Sequence, residues 1–221
     1  SQLIFTDSDE KEKISNIFGL EGDNLYILMG NESAKNLYSI PIDSKGEKNL
    51  VINNTIKNTL AIGNDKIVYL EYSNAEKDFG YKIFASSFNG SNKAEITTEN
   101  LSPFNLMIDN GNLFYIIDRS NIFELYSINL STNDKKLIAE INKKPVQYEV
   151  KENNLIFLSD NKLIKYEINK KLYLNIIPES NINSFRYLGN YIYFSKDGKI
   201  YSNQDSKSVE ITSGDIIINV N

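Results

Sequence analysis

At 221 residues the chain has the length of one all-β domain, and its 41% hydrophobic and 24% charged content suits a globular protein with a buried core. A formal net charge of −5, with Arg119 and Arg186 as the only arginines, argues against nucleic acid as a partner. Histidine and cysteine are both absent, which excludes His-activated nucleophiles, thiol catalysis, disulfides and imidazole or thiolate metal sites, so no cofactor is expected.

In chain order, Leu3-Ile4-Phe5 reads as a terminal strand within residues 1–6. After it the chain repeats. Apolar doublets follow an Asn or Lys at Leu25-Tyr26, Ile67-Val68, Leu113-Phe114 and Leu155-Ile156, and a fifth is read at Tyr191-Ile192. The period of roughly 40–45 residues is that of a four-stranded propeller blade. Each repeat opens on a strand with period-2 alternation, such as Leu60/Ile62, Phe104/Leu106/Ile108, Val146/Tyr148/Val150 and Phe185/Tyr187. A Gly/Asn/Asp turn follows, as in Gly63-Asn64-Asp65 or Asp109-Asn110-Gly111-Asn112. These residues tolerate positive φ and close tight hairpins.

The second strand of each repeat is continuously apolar, which predicts burial on both faces. In the third, Leu37-Tyr38-Ser39-Ile40 returns as Leu125-Tyr126-Ser127-Ile128. The fourth is predicted short with charged flanks, as edge strands often are. Pro103, Pro145 and Pro178 fall between repeats, where no ladder hydrogen bond is needed. No i, i+3, i+4, i+7 pattern lasts ten residues, so no long helix is expected.

The predicted fold is therefore an all-β propeller of about five four-stranded blades, spanning roughly 14–55, 56–99, 100–142, 143–178 and 179–212. The terminal strands, 1–6 and 214–221, either close the ring between them or belong to a sixth blade. No apolar run approaches the ~18 residues of a membrane span. The start at Ser1 reads as that of a trimmed or processed chain, so a missing leader carries no information on location.

Tyr115-Ile116-Ile117-Asp118, Phe157-Leu158-Ser159-Asp160 and Phe194-Ser195-Lys196-Asp197 stand where receptor-type propellers carry a Tyr-Trp-Thr-Asp box, and the unit Asn-Leu-Tyr … Leu-Tyr-Ser-Ile resembles a bacterial domain family of unknown function. The repeats of that family are similar to the propellers of low-density lipoprotein receptors. The resemblance runs over about residues 14–212, although tryptophan is absent throughout. It implies a propeller fold and an exported or cell-surface bacterial protein. The heavy use of Asn, Lys and Ile points the same way, to an AT-rich bacterial genome.

Candidate sites are few. Asp7-Ser8-Asp9-Glu10 has the first spacings of a calcium loop but lacks its glycine, so a solvated acidic turn is the expectation. Ser195-Lys196-Asp197-Gly198 is similar to a sialidase Asp-box but reads as a hairpin turn. Asp118, Asp160 and Asp197 recur after the second strand, where Asx turns account for them. Most of the 14 tyrosines and 11 phenylalanines occupy repeat-equivalent strand positions and read as core. Phe79, Phe88 and Phe123 lie in or near loops instead. Residues 72–80 form the longest loop inside a repeat, and loops carry function more often than blades. The ligand-contact candidates are accordingly Tyr72, Asp78 and Phe79.

The leading functional expectation is a monomeric, non-enzymatic binding or scaffold module that grips protein or glycan on a propeller face. One alternative is a carboxylate-based glycoside hydrolase, which needs two carboxylates converging near the channel. First strands line that channel, and they offer mostly apolar residues plus Glu149 and Arg186, which disfavours the hydrolase. The other alternative is a structural spacer.

Overall fold

The computed structural model describes residues 13–30, 35–43, 47–55, 60–73, 79–151, 153–177, 181–188, 191–204 and 207–211. Among the described residues twenty strands form five four-stranded antiparallel sheets, the blades of a five-bladed β-propeller. The first sheet holds β1 (Lys13–Glu21), β2 (Asn24–Gly30), β3 (Lys35–Pro41) and β4 (Asn49–Thr55). The second holds β5 (Leu60–Gly63), β6 (Lys66–Ser73), β7 (Gly80–Ser86) and β8 (Ala94–Glu99). The third holds β9 (Phe104–Asp109), β10 (Asn112–Arg119), β11 (Ile122–Asn129) and β12 (Lys135–Ile141). The fourth holds β13 (Gln147–Lys151), β14 (Asn154–Ser159), β15 (Lys162–Glu167) and β16 (Leu172–Asn175), with a 3₁₀ turn at Ile168–Lys170 before its last strand. The fifth holds β17 (Ile182–Leu188), β18 (Tyr191–Lys196), β19 (Lys199–Gln204) and β20 (Lys207–Ile211). Among the described residues no helix is long and apolar enough to cross a membrane. The terminal strands read from the sequence lie outside the described residues, as do Asp7–Glu10 and Pro178.

The turns close as their residues dictate. Asn64-Asp65, Asn110-Gly111, Ser120-Asn121, Asp160-Asn161 and Asp197-Gly198 all hold positive φ at both positions. That is the type I′ geometry whose twist matches two flanking strands. Asp160 and Asp197 are thus turn residues, whereas Asp118 ends a strand ahead of its turn.

The chain gathers into two compact units. One contains the first two sheets and most of the third, and the other contains the fourth and fifth sheets with the last residue of β10, the start of β11 and the end of β12 from Ile138. In the first unit the run Ile67–Leu70 is apolar throughout because alternate residues serve different seams. Ile67 and Tyr69 pack with Tyr26, Leu28, Leu37 and Ile52 of the first sheet. Val68 and Leu70 pack with Leu113, Tyr115 and Ile117 of the third. The Leu-Tyr-Ser-Ile repeat folds alike in both copies. Leu37 and Ile40, and likewise Leu125 and Ile128, are fully buried, and Ser39 and Ser127 are buried beside them.

A lysine preceding or opening the fourth strand covers a third-strand aromatic ring in three blades. Lys48 lies 4.7 Å from the Tyr38 centroid, Lys93 lies 4.1 Å from that of Phe84, and Lys135 lies 4.3 Å from that of Tyr126. Such cation–π contacts contribute about 0.5–2 kcal/mol, more as water is excluded.

In the second unit, Ile156, Leu158 and Leu163 of the fourth sheet pack with Phe185, Ile192 and Phe194 of the fifth. Two β13 side chains also bridge to β17. The Gln147 amide accepts from the Phe185 N–H at 3.1 Å and donates to the Phe185 carbonyl at 2.6 Å. Both Glu149 oxygens accept from the Tyr187 N–H, at 3.3 and 3.2 Å. These side chains take the place of a backbone ladder between two first strands.

Three sequence expectations need correction. The fifth doublet is shifted by one. Ile192 pairs with Tyr187 as Ile67 pairs with Ile62, so Ile192-Tyr193 is the equivalent pair and Tyr191 is exposed. Val146 precedes its strand and is 66% exposed, so it is no member of a buried face. The fourth strands are short only in the last two blades, because β4, β8 and β12 run six or seven residues with polar residues facing water.

Burial also makes the fold sensitive to alkali. The Tyr69 hydroxyl is pushed up to about 12, mainly by burial and in part by the nearby Glu71 carboxylate. An unfolded tyrosine ionises near pH 10. Between pH 10 and 12 the unfolded chain therefore releases a proton that the folded chain retains. Stability present in full below pH 10 is lost across that window, at up to about 1.4 kcal/mol per pH unit. Denaturant melts from pH 9 to 12 are expected to show this decline, with a shallower slope for Tyr69→Phe. An unchanged slope in that variant would assign the effect to other groups.

Candidate functional site

The candidate surface grows from the β6–β7 hairpin. Tyr72 pairs with Tyr81, and Ser73 with Gly80, at the end of the ladder. Gly80 has φ of +140°, and a Cβ there would stand 2.9 Å from the Glu99 carbonyl oxygen. Only glycine lets β7 start this close to the end of β8. Phe79 leaves the sheet immediately before it.

The side chains then form a ladder of rings. Tyr81 is partly buried against the apolar seam of the second and third sheets. The Tyr72 ring lies 4.9 Å from that of Tyr81, tilted by 45°. Phe79 meets Tyr72 at 5.9 Å, edge to face at 79°. Exposure rises outward, with Tyr72 43% and Phe79 57% exposed. Of the candidates read from the sequence, Tyr72 and Phe79 are thus in ring contact, while Asp78 lies outside the described residues.

The other two loop phenylalanines are packed inside. Phe123 is buried. Phe88 packs against the first-sheet seam, its ring 5.7 Å from Tyr26, whose hydroxyl donates to the Phe88 carbonyl at 3.4 Å. Phe79 is the one of the three that presents its ring to solvent.

Next to the ladder is a polar group that sequence reasoning did not single out. Glu99 stands opposite Tyr81 in the β7–β8 pairing. Its side chain is 8% exposed, accepts from the Tyr115 hydroxyl at 2.6 Å and is ion-paired with Lys135. Burial, then the hydrogen bond to Glu99, drives the Tyr115 hydroxyl far above the usual tyrosine range. The three residues come from two sheets, and the one sequence signal is the repeat of lysine before or at the fourth strand.

Elsewhere, Arg186 lies 3.8 Å from Glu149, whose oxygens are already engaged by the Tyr187 N–H. Among the described residues no three His, Cys, Asp or Glu side chains gather as metal ligands would.

No protein-family model matches the chain, and no curated protein matches it in sequence. Solved structures do match in fold. The nidogen/laminin complex aligns at 11% identity and a TM-score of 0.61, over 86% of this chain and 76% of that one. TolB from Acinetobacter baumannii aligns at 16% identity and a TM-score of 0.59, over 90% of this chain and 55% of TolB. A Mycobacterium tuberculosis puromycin-hydrolyzing peptidase aligns at 9% identity and a TM-score of 0.64, over 90% of this chain but 37% of the peptidase. The chain thus spans about half of that TolB and about a third of the peptidase. Identities this low establish the propeller fold alone, and that fold serves binding proteins and enzymes alike.

Proposed function

We propose that this chain is a non-enzymatic binding module of an exported or surface bacterial protein, engaging protein or glycan through the β6–β7 hairpin. The observation that carries this reading is the exposure of Phe79 and Tyr72 as a continuous ring pair, while Phe88 packs against the first-sheet seam and Phe123 is buried in β11. Exposed aromatic rings in contact give a ligand apolar surface to cover. The resemblance of the repeats to receptor-type propellers, and the likeness to the nidogen/laminin complex, support a binding role. The engagement of Glu149 with the Tyr187 backbone N–H weighs against the hydrolase reading, which needs a pair of free carboxylates.

The test is a thermal-melt panel of oligosaccharides, cell-wall fragments, calcium and short peptides. A ligand at 100 times its Kd adds about 2.7 kcal/mol. In a domain of this size that raises Tm by very roughly 5–10 °C. A reproducible shift with one class supports the module. A flat panel contradicts small-ligand binding and points to a protein partner or the spacer.

A further inference from the structure

The chemistry at the inner end of the ring ladder narrows the ligand class, granted the binding reading above. Cross-strand partners stand side by side on one face of a sheet. The Tyr81–Glu99 pair therefore joins the ladder to the Glu99, Lys135 and Tyr115 group. From the hairpin tip inward the strip reads Phe79, Tyr72, Tyr81, then a carboxylate flanked by an ammonium and a phenol. Lys135 keeps 34% of its side chain exposed.

We infer that this strip is a carbohydrate subsite for a neutral pyranose unit. A pyranose offers an apolar C–H face to an aromatic ring, and hydroxyls that both donate and accept around its rim. The strip offers ring surface and, one cross-strand step away, the partly open Lys135 ammonium as donor beside the rim of the Glu99 carboxylate, while the Tyr115 hydroxyl is fully buried and donates to that carboxylate. Both contacts to Glu99 fall on Oε1, and a carboxylate has lone pairs on two oxygens.

Three observations select this ligand over others. The first is size. The open parts of Tyr72 and Phe79 amount to roughly 200 Å², against about 800 Å² per partner in a stable protein interface. The second is charge. The charged neighbours on β6 and β7, Glu71 and Lys82, alternate onto the opposite face, where they pair with Lys93 at 2.7 Å and Glu95 at 3.3 Å. A strip flanked in this way suits an uncharged ligand. The third is hydrogen-bond polarity. A proline-rich segment, the other ligand that favours exposed aromatics, has no prolyl N–H to bring to the carboxylate.

The test is calorimetric titration of the purified chain with cellohexaose, mannohexaose, chitohexaose and decaproline, repeated on Tyr72→Ala and Phe79→Ala. The expected result is saturable binding of at least one hexasaccharide, weakened tenfold or more in either variant, with Tm unchanged and decaproline inert. Hexasaccharide binding that survives both substitutions would overturn the location. Binding of decaproline but of no hexasaccharide would overturn the carbohydrate class and leave the binding module standing. Silence from all four probes, together with a flat melt panel, would overturn the carbohydrate subsite and the small-ligand form of the module together.

Discussion

Replacing Gly90 with alanine is expected to lower stability by about 2–4 kcal/mol, the sum of a left-handed backbone penalty and a forced overlap. Gly90 has φ of +79°, and a Cβ there would fall 2.1 Å from the Val51 carbonyl oxygen. The obstacle is backbone, so no side-chain rotation relieves it. The turn around Gly90 is also tightly tied. The Gly90 N–H donates to the Ser87 carbonyl at 2.8 Å, and the Ser87 N–H to the Ser91 carbonyl at 2.8 Å. The Asn89 side chain accepts from the Ser91 N–H at 3.0 Å. To make room the whole turn has to lift off β4, and it carries Phe88 away from Tyr26. Urea unfolding of Gly90→Ala measures the loss. A change below about 0.5 kcal/mol, the size of an ordinary surface substitution, would mean that the turn does not rest on β4.

The second large effect lies in the Glu99 group. Tyr115→Phe removes one hydroxyl without opening a cavity, so the whole cost falls on the hydrogen bond to a buried carboxylate. Hydrogen bonds to charged groups contribute about 1.5–3 kcal/mol, and a loss in that range is expected. Lys135→Met strips the same carboxylate of its counter-ion and is expected to cost about 2–3 kcal/mol. Loss of one partner of a fully buried pair costs more, but Lys135 is partly open to water. The two losses share Glu99 and will not add, so the double variant reports their coupling. A neutral Tyr115→Phe would show that the 2.6 Å contact contributes nothing.

Much of the fold was legible because each local rule was repeated five times. A one-residue mismatch in a single copy could not hide the period, and positive φ falls where predicted at Gly63-Asn64-Asp65, Asp109–Asn112 and Asp197-Gly198, while the tight turns at Ser120-Asn121 and Asp160-Asn161 occur where the sequence reads only as a polar loop. The fifth blade shows what a period cannot supply. Tyr191 is apolar enough to pass for a core doublet, and only the hairpin register moves the pair to Ile192-Tyr193. Val146 fitted an alternating pattern, yet it stands before the first ladder pair at Gln147 and faces water.

The candidate site was half legible. Loop length drew attention to Tyr72 and Phe79, and both turned out to be exposed and in contact. Phe88 and Phe123 looked equivalent in sequence. The partner of Phe88 is Tyr26, 62 residues earlier, which no local pattern reports. The same distance problem hid Glu99. Its lysine is 36 residues away and its tyrosine 16, and the contacts exist only after two sheets have packed.

The central claim is that the hairpin rings serve a ligand rather than the core, and a melt of the Tyr72→Ala/Phe79→Ala double variant, with and without the ligand class that shifts the natural chain, tests it most directly. The account predicts an unliganded Tm close to that of the natural chain and no ligand-induced shift. An unliganded Tm lowered as far as a core truncation of about 3–5 kcal/mol would lower it, with the ligand-induced shift retained, would contradict it and make the rings part of the core.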